Sequence, residues 1–181
     1  MKVRKPVRQS SRLPGYDYTQ PGFYFVTVCA YHQRCIFGDI DADTVRLNDA
    51  GQTAAFTCKW LAQQYPHVEL DEFVIMPNHM HGLIIIQNGD DTRPGEPGQY
   101  KSLGRLVGAF KTVSTRRINL LRGTPQSTVW QRGFYEHVVR TSDSLERIRA
   151  YINTNPVRWA LDPENPQFDR FVGEFGSTTY P

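Results

Sequence analysis

Residues 23–30, FYFVTVCA, are aromatic or β-branched at odd and even positions alike. A strand with one wet face would alternate apolar with polar, so this run predicts a strand covered on both sides. Residues 31–48 lose the pattern and read as a connection with a hairpin-like element. Ala55, Cys58, Leu61 and Tyr65 then recur at helical spacing, Asp49 with Gln52 resembles a capping box, and Pro66 closes the helix. Residues 68–76, VELDEFVIM, and 79–86, HMHGLIII, read as strands, and a break as short as Pro77-Asn78 pairs them as an antiparallel hairpin. Residues 87–100, QNGDDTRPGEPGQY, form a loop. Over 102–122 an amphipathic helix places Leu103, Leu106, Val107, Phe110, Val113 and Leu121 on one face, with Lys101, Arg105, Lys111, Arg116 and Arg122 mostly on the other. Residues 127–140, STVWQRGFYEHVVR, are strand-like around Gly133. A last helix spans 142–155 with Ser142 or Asp143 as N-cap, and Pro156 disfavours helical geometry at Asn155. The order predicts an α+β fold: a ferredoxin-like βαββαβ antiparallel sheet with an additional C-terminal helix that carries Tyr151.

A length of 181 residues suits a single domain over 1–181, with a basic arm at 1–15 and an irregular tail at 165–181. The net charge is only +3, but Lys2, Arg4, Lys5, Arg8 and Arg12 all precede the first acid, Asp17. That arm reads either as a solvated terminus or as a segment that lies along phosphates. The three cysteines form no C-x-x-C pair, which argues against a disulfide framework or a cysteine-rich zinc site and fits a reducing cytoplasm. No secretory h-region follows the basic start, and no apolar run approaches the ~20 residues of a membrane span, so no membrane partner is expected.

The chemistry concentrates in two places. Residues i and i+2 of a strand share a face, so His79 and His81 project together with Leu83 and Ile85, while Met80, Gly82, Ile84 and Ile86 face the other way. Two imidazoles ~6.5–7 Å apart at the backbone can converge on one metal ion, or can form a polar, hydrogen-bonded patch. In the last helix, Tyr151 and Asn155 are one turn apart beside the stripe of Leu145, Ile148 and Ile152. Taken alone, they read as a packing aromatic and a helix cap.

MPNHMHGLIII resembles the HUH motif of His, large hydrophobic residue, His, and YINTNPVRWAL resembles the tyrosine helix of single-tyrosine HUH transposases. The likeness is greatest to the REP-associated tyrosine transposases and their insertion-sequence relatives, which act on single-stranded DNA. It extends through LPGYDYTQPGFYFVTVCA, WQRGFYEHVVR and NPVRWAL to residues 10–165 or so. The resemblance implies that His79 and His81 are paired metal ligands, Tyr151 the nucleophile and Asn155 the third ligand. It implies a divalent cation, Mg²⁺ or Mn²⁺, and single-stranded DNA with hairpins as the partner. The implied chemistry is cleavage and rejoining through a 5′-phosphotyrosine with a free 3′-hydroxyl, in a protein of the cytoplasm and nucleoid. A homodimer with the tyrosine in trans and a monomer with it in cis both remain open. Arg132, Lys111, Arg116 and Arg158, with Arg140, are candidate phosphate contacts. Tyr135 and Trp130 read either as base-stacking or as core aromatics, and His137 as a fold-supporting or substrate-touching residue. Two other functions compete: a domesticated relative that holds hairpins without cutting them, and a phosphodiesterase that uses water, for which the motif offers no obvious general base.

Overall fold

In the computed structural model, which describes residues 13–87 and 101–167, FYFVTVCA supplies one of two central strands. The basic residues up to Arg12, the loop over 88–100 and the tail from 168 onward lie outside the described residues. The elements in chain order are β1 (Gly22–Cys29), β2 (Gly38–Asp41), β3 (Thr44–Leu47), α1 (Asp49–Gln64), β4 (Val68–Ile75), β5 (His79–Ile86), α2 (Leu103–Arg122), β6 (Tyr135–Val139) and α3 (Ser142–Thr154). Without the β2–β3 hairpin, this is the predicted βαββαβ order followed by one more helix. The four-stranded sheet runs β4-β5-β1-β6 and is antiparallel throughout. Because β1 and β5 lie inside it, both of their faces need cover, and their two-sided apolar pattern follows.

One face carries the larger core. Tyr24, Val26 and Val28 of β1 meet Met80, Ile84 and Ile86 of β5 beneath Ala54, Cys58 and Leu61 of α1 and Leu106, Val107, Phe110 and Ile118 of α2. The other face carries a small cluster, Phe25, Leu83, Val139 and Ile152, bordered by Leu145, Ile148 and Tyr151 of α3. The hairpin expected in 31–48 is real: Ala42 and Asp43 take positive φ (45° and 64°) in the two-residue turn between β2 and β3.

Several details differ from the sequence reading. The α1 cap is Asn48 rather than Asp49, because its Oδ1 accepts from the N–H groups of Ala50 and Gly51 at 3.0 and 3.1 Å. Likewise Thr141 caps α3, its hydroxyl accepting from Ser144 N at 3.2 Å, while Asp143 sits in the first turn. Leu121 is 60% exposed, since the buried side of α2 continues through Ser114 and Ile118 and ends at Asn119. Asn155 keeps helical angles (φ −58°, ψ −40°) despite Pro156. Its side chain is anchored in the site described next, which offsets the local preference. Among the described residues no helix is long and apolar enough to cross a membrane.

Candidate active site

His79 and His81 open β5, whose register sets Cys29 opposite His79 and Thr27 opposite His81. Both rings are buried, at 0% and 3% exposure. The Nε2 atoms converge to 3.0 Å, so the pair predicted to share a face also shares a point. The outer nitrogens are held: His79 Nδ1 lies 2.8 Å from Asn78 Oδ1, and His81 Nδ1 lies 2.9 Å from Thr27 Oγ1. Phe25 stacks on His81 at 5.4 Å. Burial, reinforced by the neighbouring His79, holds the His81 pKa well below the usual histidine value, which favours the neutral ring that a metal ligand requires.

The apolar side of α3 turns Tyr151 toward these rings. Its hydroxyl lies 3.3 Å from His81 Nε2 of the same chain, and its ring packs edge-on against His81 at 5.1 Å and Phe25 at 6.0 Å. One turn on, Asn155 is 1% exposed. Its Nδ2 donates to Asp162 Oδ2 at 3.0 Å, and its Oδ1 has no hydrogen-bond partner.

Asp162 and Glu164 are buried acids beside the histidines that the sequence reading missed. They lie between the last predicted helix and the irregular tail, where the sequence reading placed no element, yet they are only 4% and 5% exposed. Asp162 Oδ2 lies 3.7 Å from His79 Nε2, and Asp162 Oδ1 accepts from Glu164 N at 2.7 Å. The available signal was Asp-Pro-Glu: an aspartate that bonds its own backbone two residues on starts a tight turn. Burial, reinforced by the neighbouring Glu164 carboxylate, raises the Asp162 pKa against the hydrogen bonds from the Glu164 N–H and the Asn155 amide, which lower it. The Glu164 carboxylate accepts from Gln33 Nε2 at 2.7 Å and from Cys29 Sγ at 3.4 Å.

These groups fit a divalent cation. Ligand atoms of His79, His81 and Asp162 lie within 4.8 Å of one another. A buried amide oxygen without a donor costs about 1–3 kcal/mol, so Asn155 Oδ1 is an acceptor that a cation at this site could satisfy. Two imidazoles with oxygen donors suit Mn²⁺ as well as Mg²⁺.

The expected phosphate contacts are scattered. Arg132, Arg140 and Arg158 are exposed. Arg116 and Lys111 line a cavity of about 920 Å³ between the second half of α2 and the 123–130 loop. The Lys111 ammonium is engaged, donating to Gln131 O at 2.9 Å and to Gly133 O, and burial lowers its pKa to about 8. Trp130 belongs to the core, stacked on Phe37 at 4.6 Å and donating to Ser114 Oγ. Tyr135 is 44% exposed, pairs across from Thr27 and lies 6.3 Å from Phe25, so it borders the site. His137 is exposed opposite Phe25 on the same sheet face.

The chain is similar in sequence to known proteins. The profile of the family described as "Transposase IS200 like" matches residues 23–155. A protein of Haemophilus influenzae described as uncharacterized is 36% identical over 166 residues, 86% of this chain and 91% of the relative. The REP-associated tyrosine transposase of Escherichia coli is 26% identical over 115 residues, 62% of this chain and 60% of that one. A solved structure of a REP-associated tyrosine transposase bound to a REP hairpin matches in fold with a TM-score of 0.58 at 20% identity, covering 94% of this chain and 88% of the other.

Proposed function

The chain belongs to the IS200-like transposase family, and from that premise we propose that it cleaves and rejoins single-stranded, hairpin-containing DNA through Tyr151. The observation that carries the reading is the Tyr151 hydroxyl, 3.3 Å from His81 Nε2 at a buried histidine pair. A phenol with a pKa of ~10 is a weak nucleophile at neutral pH, so position must supply much of the rate. Leu145, Ile148 and Ile152 seat α3 on the sheet and fix where the hydroxyl points.

His79, His81 and Asn155 Oδ1 would hold the cation, with Asp162 adding a negative oxygen beside them. A bound divalent cation supplies charge neutralisation on a non-bridging phosphate oxygen and makes the phosphorus more electrophilic. The Tyr151 oxygen attacks phosphorus as the bond to the 3′-oxygen breaks. The phenol loses its proton and the leaving 3′-oxygen gains one, so proton count and number of phosphoester bonds are conserved. A 3′-hydroxyl reverses the step on the 5′-phosphotyrosine, and rejoining therefore needs no nucleotide cofactor. With Tyr151 facing the histidines of its own chain, one copy contains every group this step requires.

The test is a denaturing gel of purified protein with end-labelled hairpin DNA from the flanks of its own gene and Mn²⁺ or Mg²⁺. A denaturant-resistant, metal-dependent protein–DNA band that disappears in Tyr151→Phe is expected. Native binding without such a band in the wild type would instead favour the hairpin-holding relative. Turnover unchanged in Tyr151→Phe would favour attack by water.

A further inference from the structure

Asn78 lies in the turn between β4 and β5, with no solvent exposure, and its Oδ1 lies 2.8 Å from His79 Nδ1. Its Nδ2 donates to two backbone carbonyls, Glu164 O at 2.5 Å and Gln33 O at 3.2 Å. Both acceptors lack a proton, so the amide has only one orientation: a flipped side chain would set its oxygen against two carbonyl oxygens. Oδ1 therefore faces His79 Nδ1, and since Oδ1 can only accept, Nδ1 carries the proton of the neutral ring. This leaves the Nε2 lone pair pointing at the place where His81 Nε2 and Asp162 converge.

We propose that Asn78 is a positioning residue that fixes the His79 tautomer and aims its Nε2 lone pair for the cation. His81 is held differently. Its partner, the Thr27 hydroxyl, can donate or accept, so the His81 ring keeps both neutral tautomers available. In the metal-free protein the His81 Nε2–H donates to the His79 lone pair, and Thr27 donates to His81 Nδ1. Loading a cation then requires the His81 proton to move to Nδ1 and the Thr27 hydroxyl to turn, while His79 stays as it is. Asn78 also ties the site to two remote segments. Its two donated bonds hold the 31–33 turn, where His32 and Gln33 both have positive φ (57° and 53°), and the stretch that carries Asp162. Strain of that kind persists only where surrounding bonds enforce it.

The proposal rests on the metal-site reading, but its first test uses neither metal nor DNA. Imidazole ¹⁵N spectra of the full-length, metal-free wild type at neutral pH are expected to show His79 protonated on Nδ1 and bare on Nε2. A His79 ring protonated on Nε2 overturns the proposal whatever any variant does. In Asn78→Leu the His79 ring is expected to mix tautomers, and calorimetric Mn²⁺ affinity to fall by about 10–100-fold, the usual range for a lost outer partner. An Asn78→Leu protein with unchanged tautomer and unchanged Mn²⁺ affinity would also overturn it. Failure of the cleavage reading would instead appear as a fixed His79 tautomer and intact Mn²⁺ binding without a covalent DNA band.

Discussion

A buried amide oxygen and a bonded lysine show how far a residue's surroundings redefine it. Asn155 was legible as a ligand candidate only by resemblance to a family, since one turn's spacing from Tyr151 also fits a cap. What marks it physically is Oδ1 buried with no donor while Nδ2 is spoken for by Asp162. Lys111 looked like a phosphate contact because it falls on the basic side of α2. Its ammonium instead braces the 131–133 turn through two carbonyls, and burial brings its pKa from 10.5 down to about 8. The sign follows directly: between those two values the unfolded chain holds the proton more tightly, so the folded state gains as pH rises from about 8 toward 10.5. Relative to Lys111→Met, the wild type should become more stable across that window by about 1 kcal/mol, discounted for partial solvent access, as measured by urea unfolding at several pH values. The acids at 162 and 164 could not have been placed from sequence, because nothing in a Pro-punctuated stretch says what it folds against.

Among the elements, α3 is held by few contacts for the task it has. Its buried cluster contains Ile152 with Phe25, Leu83 and Val139, a fraction of the core on the opposite face. Its outer side is tied to β4 where the strand register shifts between Leu70 and Phe73: Arg149 Nε and Nη2 both bond the Asp71 carboxylate, and Nη1 reaches Glu146. Ile152→Ala should cost about 3 kcal/mol in urea unfolding and lower the yield of covalent complex beyond what unfolding explains, because it loosens the seat of Tyr151. A variant that loses stability but keeps full yield would mean that the tyrosine is aimed by other contacts. Strands and helices themselves were largely readable, since period-2 and period-3.6 patterns reflect which side meets a core. Capping residues were each displaced toward the preceding Asn or Thr, because the choice depends on which oxygen reaches the first free N–H groups. The strand within 127–140 was broader in the sequence than in the fold, where Trp130 makes only an isolated bridge to Ala30 and the regular strand begins at Tyr135.

Across the whole molecule, the site is a junction of distant segments: β1 brings Thr27, the 31–33 turn brings Gln33, β5 brings the histidines, α3 brings Tyr151, and the following stretch brings Asp162 and Glu164. Cation binding should therefore tighten the fold as a unit. Saturating Mn²⁺ at about 100-fold over its dissociation constant would add about 2.7 kcal/mol, read as a rise in Tm. Asp162→Asn should lose much of that rise, since it removes the negative oxygen beside His79 while keeping the side chain's size. An unchanged metal-induced shift would remove Asp162 from the site. The position of that acid along the chain has a consequence in time. Synthesis delivers the histidines first, then Tyr151, then Asn155, and Asp162 after all of them. About eighty residues separate His81 from Asp162, roughly 4–16 s of translation at usual rates. On the proposed reading, a copy whose synthesis stops within that interval would carry the histidine pair without the Asp162 carboxylate beside it, so a prematurely terminated chain would bind the cation less well than the full chain.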